Sequence, residues 1–169
     1  MDVVLFSGKT IRYRVFDIAD NIMGKIRPGD DVVLLCVLRG SFMFFTDLVK
    51  QLPSNITIDF IQASSYGNGT VSGELTIDLG RKKDYTGKKV FIVDDIVDSG
   101  NTLTALKNLF KPTAAEVYTV ALIARNGSKH LVDFHGFVIE DEWIWGYGMD
   151  LNGKCRNIDS IMYKEQNID

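Results

Sequence analysis

Hydrophobic positions change period several times along the chain, and each change predicts an element. Ile11, Val15, Ile18, Ile22 and Ile26 recur every three or four residues, the spacing that lines up one face of an α-helix. An amphipathic helix is expected over residues 9–26, with Ser7 as its N-cap and Pro28-Gly29 as its stop. The short apolar stretch 3–6 ahead of it reads as a strand. From 32 to 38 every residue is apolar, and a run of that length suits a parallel strand covered on both faces. Residues 42–51 read as a second helix ended by Pro53, and 56–61 alternate with the period of a strand. Further strands are expected at 90–93, 117–124 and 137–139, with a helix over 102–110.

Strands that alternate with helices define an α/β fold with a mainly parallel central sheet flanked by helices. The 169 residues are expected to form one domain, long enough to bury a core. Ligands on such sheets lie beyond the carboxyl ends of the strands, which directs attention to the turns after 32–38 and 90–93. One stretch breaks the alternation. Residues 63–83 are polar and contain Gly67, Gly69, Gly73 and Gly80. A connection this long is uncommon in a compact domain unless it covers a site, so a flexible lid is expected there, with 74–79 as one arm of a hairpin.

Composition narrows the classes. Hydrophobic residues make up 46% and charged residues 24%, with a net charge of −3. That excludes a disordered chain and argues against a nucleic-acid partner held by phosphate neutralisation. Cys36 lies inside an apolar run and Cys155 has no cysteine near it. Neither a disulfide framework nor a zinc site is expected, and a reducing cytoplasm fits. No stretch reads as a signal peptide or a membrane span, so no membrane partner is expected.

The chemistry concentrates after 90–93. That apolar run leads directly into Asp94 and Asp95. Adjacent carboxylates repel and resist burial, so a cation or sugar hydroxyls are needed to compensate them. Asp98-Ser99-Gly100-Asn101-Thr102 follows. Gly100 permits close backbone approach, Ser99 and Thr102 offer hydroxyls, and the first amides of a helix point outward, which together make a nest for a phosphate. An ordinary capped helix would account for Ser99 or Thr102 alone and leaves the acidic pair unexplained. A polyol site beside a phosphate site is what ribose 5-phosphate requires. No G-x-G-x-x-G and no P-loop GK[ST] is present.

Residues 90–102 resemble the phosphoribosyl-diphosphate motif of the type I phosphoribosyltransferases: an apolar run, two acids, two apolar residues, then D-[ST]-G-x-T, matched without a gap. Leu38-Arg39-Gly40 is similar to that family's pyrophosphate loop, and Ser65-Tyr66 to the start of its lid. Trp143-Ile144-Trp145-Gly146-Tyr147-Gly148-Met149-Asp150, with Arg156 beyond it, is similar to the purine end, a small hood over about 136–160. Together they resemble the hypoxanthine-guanine branch, over nearly the whole chain.

The resemblance implies transfer of ribose 5-phosphate from phosphoribosyl diphosphate to N9 of hypoxanthine or guanine, giving IMP or GMP and pyrophosphate, with Mg2+ as cofactor. It implies Asp98 as the proton-handling residue near purine N7. Asp94, Asp95, Ile96, Val97, Ser99, Gly100, Asn101 and Thr102 would hold ribose and its phosphate. Arg39, Gly40, Ser65, Tyr66 and Arg156 would hold pyrophosphate, and Arg125, Trp143 and Ile144 the purine. Asp150, with Asp94 and Asp95, would hold the metal. A homodimer or homotetramer is implied as well. Three positions depart from the family: Asp94 stands for the usual Glu, Trp143 for Phe or Tyr, and Arg125 for Lys. Arg125 keeps preference for an oxo group, having no acceptor, and its several donors admit xanthine as a further substrate. A regulator of this fold that binds nucleotide or RNA without turnover is the alternative.

Overall fold

The computed structural model describes residues 1–65, 75–78 and 84–165. Most of the 63–83 segment, Tyr66 included, lies outside them, so the lid expectation does too; its described part is a short antiparallel pairing of 62–65 with 75–78.

The large sheet contains β2 (Val32–Leu38), β3 (Thr57–Ser65), β4 (Leu75–Asp78), β5 (Lys89–Val97), β6 (Glu116–Arg125) and β7 (Phe134–Ile139). Their order is β4-β3-β2-β5-β6-β7. All neighbours run parallel except β4, which lies antiparallel on the edge. The period-2 pleat divides each apolar run between two faces. Leu34, Cys36, Phe91 and Val93 pack with α1 (Gly8–Met23) and α2 (Phe42–Val49) on one side. Val33, Leu35, Val37, Val90 and Ile92 pack with Leu103, Leu106 and Phe110 of α3 (Asn101–Phe110) on the other. Two-sided cover is why these strands read as unbroken hydrophobic runs.

Boundaries shift for physical reasons. Ser7 does cap α1, its Oγ accepting from the Thr10 amide at 3.2 Å, but the helix ends at Met23 before Gly24. Ile26 reaches the same core from the following turn. β5 continues past its apolar run through Val97, because β6 runs alongside and pairs with Asp94, Ile96 and Val97. Asp94 and Asp95 therefore belong to a strand end, and the turn proper begins at Asp98.

A second sheet, ordered β1-β9-β8, combines β1 (Asp2–Phe6), β8 (Ile144–Trp145) and β9 (Ile161–Lys164). The hood expected at 136–160 is thus built differently. Residues 136–139 belong to β7 of the large sheet, and the small sheet takes its longest pairing from β1 with β9. A two-residue β8 cannot satisfy a sheet by itself, so both ends of the fold close over it. Phe6 stacks on Phe137 at 3.9 Å, and Ile144, Tyr147, Met149 and Ile161 share the core of α1 and α2. Tyr147 Oη donates to Asp47 of α2 at 2.7 Å. Among the described residues no helix is long and apolar enough to cross a membrane.

Candidate active site

Parallel pairing brings the carboxyl ends of β2, β5 and β6 to one edge. The Leu38–Arg39 peptide after β2 is cis. Gly40 then passes so close to β5 that a Cβ there would lie 1.8 Å from Asp95 Oδ2. Gly148, at φ +100°, crosses in turn over Gly40, and its Cβ would sit 2.0 Å from the Gly40 carbonyl oxygen. At Gly148, where the clash is with backbone and φ is positive, only glycine permits the approach; at Gly40 a side chain would have to displace the Asp95 carboxylate.

Two adjoining cavities result. The larger, about 520 Å3, is lined by Gly40, Asp95, Ile96 and Asp98 on one side and by Arg125, Trp143, Ile144, Met149, Asp150, Asn152 and Arg156 on the other. The smaller, about 90 Å3, is a cup formed by Asp94, Ile96, Val97 and the run from Asp98 to Leu103. Ile96 and Asp98 line both. At the cup Gly100 adopts the left-handed conformation, φ +76°, directly before α3, and the Asn101 amide turns to Ser99 Oγ at 3.4 Å. A left-handed glycine directly before a helix start is the backbone arrangement from which anion nests are built.

The acidic pair is buried at this junction. Asp94 is 9% exposed and Asp95 half-buried. Burial, followed by the charge of Asp95, pushes the Asp94 carboxyl well above the usual carboxylate range. Burial raises Asp95 too. Its hydrogen bond with Asp94, the Ile96 amide at 2.9 Å and the charge of Arg156 pull it part of the way back. Asp150 and Arg156 face each other, with Nη2 to Oδ1 at 2.5 Å, while Arg156 Nη1 donates to the Gly148 carbonyl at 2.7 Å.

Arg125 closes one side of the larger cavity. Its Nε donates to Asp98 Oδ1 at 3.3 Å, and its Nη1 donates to the carbonyls of Glu140 and Glu142 at 2.8 and 2.9 Å. Trp143 follows this loop with 69% of its surface exposed.

The structure thus gathers Asp95, Asp98, Arg125, Trp143, Ile144, Asp150 and Arg156 with Gly40 around one cavity, and Asp94 with 96–102 around the cup. Arg39 is exposed and is not among the residues that line the cavity, and Ser65 is the last residue of β3. Met149, named in the sequence only as part of the 143–150 motif, lines the cavity too, and Asn152 does so without having been anticipated; it holds φ 52° in a loop whose pattern carries no periodic signal. The carbonyls of Glu140 and Glu142 leave no trace in side-chain identity. Among the described residues no group of three His, Cys, Asp or Glu side chains forms a ready cation site. Asp95 and Asp150 both face the larger cavity, and this sparse carboxylate set fits magnesium, which keeps water and substrate phosphate oxygens as its remaining ligands.

A small cup at a helix start, an acidic pair beside it and an adjoining cavity, all at the carboxyl edge of a parallel sheet, form the arrangement expected of a phosphoribosyl-transferring α/β protein. The chain belongs to the phosphoribosyl transferase domain family, whose profile matches residues 5–152. Within that family its similarities fall on the hypoxanthine-guanine branch. It is 32% identical over 173 residues to the hypoxanthine-guanine-xanthine phosphoribosyltransferase of Tritrichomonas foetus, covering 99% of this chain and 94% of that one. It is 33% identical over 164 residues to the hypoxanthine phosphoribosyltransferase of Escherichia coli K12, covering 94% and 92%. A crystal structure of a hypoxanthine-guanine phosphoribosyltransferase from Bacillus anthracis, with a HEPES molecule in its active site, superposes with a TM-score of 0.86 at 34% identity over 96% of this chain and 98% of that one.

Proposed function

We propose that this protein transfers ribose 5-phosphate from phosphoribosyl diphosphate to N9 of a 6-oxopurine, hypoxanthine or guanine, releasing pyrophosphate and IMP or GMP. The observation that carries this reading is the shared wall: Asp98 and Ile96 line both the phosphate cup and the purine-sized cavity. A substrate with its phosphate in the cup puts its reacting sugar carbon between the two, beside Asp98.

The roles follow from the chemistry of each group. Amides and hydroxyls of 99–102 hold the 5-phosphate. Asp94 and Asp95 take the ribose hydroxyls; a carboxyl that keeps its proton, as burial favours for Asp94, both donates and accepts. Trp143 stacks on the purine above Ile144. Arg125 donates to the 6-oxo group. With Nη1 committed to the loop carbonyls, one amino group is left for the base, which favours a single oxo group over the two of xanthine. Asp98 takes or shares the N7 proton as N9 attacks. Arg156 and the Gly40 backbone, with Arg39 and Ser65-Tyr66 as the resemblance implies, receive pyrophosphate. Asp95 and Asp150, with Asp94 behind them, would hold magnesium, which when bound offsets the charge of the departing pyrophosphate. The rest of catalysis is positioning and charge stabilisation.

Two further readings belong here. Cys36 and Cys155 are both free thiols, which suits a cytoplasmic enzyme. Exposed Tyr13, Phe16 and Met23 on α1 support a homodimer or homotetramer, testable by light scattering.

The activity is tested by incubating the protein with magnesium, phosphoribosyl diphosphate and hypoxanthine, guanine, xanthine or adenine in turn, and measuring pyrophosphate. Release with hypoxanthine or guanine, weaker with xanthine, absent with adenine and lost on chelation is expected. No release with any base, alongside retained nucleotide binding, would instead indicate a regulator.

A further inference from the structure

Trp143 has little packing of its own, being 69% exposed. An aromatic that must stand at a fixed distance from a ligand needs its backbone held. The residues before it supply that hold through one side chain. Arg125, at the end of β6, donates Nη1 to both the Glu140 and Glu142 carbonyls, while its Nε meets Asp98 on the other side of the cavity. Its Nη2 has no partner among the described residues, and the side chain lines the cavity.

We propose that Arg125 is a positioning residue: its guanidinium clamps the 140–142 loop, and with it Trp143, to the β5 turn that carries Asp98, so that the base-stacking group and the proton-handling group are set by one rigid plane. This rests on the purine-transfer reading above and adds a role that contact with the base alone does not contain.

The physical argument is that the clamp needs donors on separate nitrogens. A guanidinium carries Nε, Nη1 and Nη2 in a fixed fork, so it serves the carboxylate, the loop carbonyls and the cavity at once. An ammonium has its donors on a single nitrogen and cannot occupy those places together. The other ties given by side chains do not reach Asp98: the Glu140 amide to the Glu142 carboxylate at 2.9 Å within the loop, and Asn126 Nδ2 to Glu140 Oε1 at 3.0 Å from the residue after β6. They hold the loop to itself and to the end of β6, whereas among the described residues Arg125 is what links it to Asp98.

The test uses Arg125→Lys and Arg125→Gln in the full-length protein. Hydrogen exchange of the segment 140–143, in the free protein, reads the clamp without reference to activity. Both variants are expected to exchange there about tenfold faster or more, since the loop loses two hydrogen bonds to a charged donor. Exchange in β5 and β6 should stay unchanged, as the check that the fold is intact. In steady-state assays Arg125→Lys should raise KM for the base about tenfold, with KM for phosphoribosyl diphosphate within about twofold. Wild-type exchange at 140–143 in Arg125→Lys overturns the clamp, and wild-type KM for the base overturns its bearing on Trp143. Should Arg125→Gln fail to fold, Arg125→Lys decides alone. If the protein transfers no purine, the exchange arm still tests the clamp, so the two readings fail separately.

Discussion

Single residues at this site trade stability against chemistry. Asp94 is buried beside another carboxylate, and both burial and that neighbour oppose its charge. Asp94→Asn should therefore leave stability within about 1 kcal/mol of wild type, or raise it, while kcat/KM for phosphoribosyl diphosphate falls. Denaturant titration beside steady-state kinetics checks this; a large loss of stability would show that the charged form supports the fold. Asp98 presents the opposite case. It is exposed, and among the described residues its carboxylate meets only Arg125. Asp98→Asn should keep the melting temperature and lower kcat by roughly 10²–10⁴, the usual contribution of a positioned proton-transfer group. An unchanged kcat would remove Asp98 from proton transfer.

At the scale of elements, function depends on how closely loops cross. The turn between β8 and β9 passes over the loop after β2 at Gly148, with a left-handed φ and the Gly40 carbonyl where a Cβ would stand. Arg156 holds this crossing in place through the Gly148 carbonyl. Gly148→Ala should cost about 1–3 kcal/mol from the backbone conformation alone, and more from the clash. It should also weaken phosphoribosyl diphosphate binding more than base binding. Equilibrium unfolding with KM for each substrate separates the two effects, and an alanine variant of wild-type stability would mean that the crossing relaxes freely. At the start of α1, Ser7→Ala should cost about 1 kcal/mol through the lost cap and leave activity alone, since the cap lies outside both cavities.

For the molecule as a whole, charge at a distance from the site contributes to its response to pH. Asp133, in the connection into β7, accepts from Lys107 of α3 at 2.8 Å and from the Thr119 amide and hydroxyl of β6 at 2.8 and 2.9 Å. Burial works against its charge, and these partners outweigh it, so its pKa lies below the ordinary carboxylate value. A depressed folded-state pKa stabilises the fold above the unfolded value, about 3.9, and that stabilisation disappears as pH falls through the lower folded value. Asp133→Asn should thus lose about 1–3 kcal/mol at neutral pH, and its deficit should shrink below about pH 4. Melting temperatures of both proteins from pH 7 to 3 test this; a constant deficit would assign the effect to packing.

What the sequence settled by itself was whatever is made by neighbours along the chain. The apolar runs at 32–38 and 90–93 reported strands buried on both faces, and the small cup was legible as one place because residues nearly consecutive in the chain line it. Tertiary structure decided the rest. The larger cavity joins residues near 40, 95, 125 and 143–156, which only the tertiary fold brings to one edge. The small sheet joins the first strand to the last, a pairing that no local pattern encodes because its hydrogen bonds come from backbone groups that every residue carries. The same reason hid the partners of Arg125: two carbonyl oxygens, identical in every amino acid, become specific only where the fold places them.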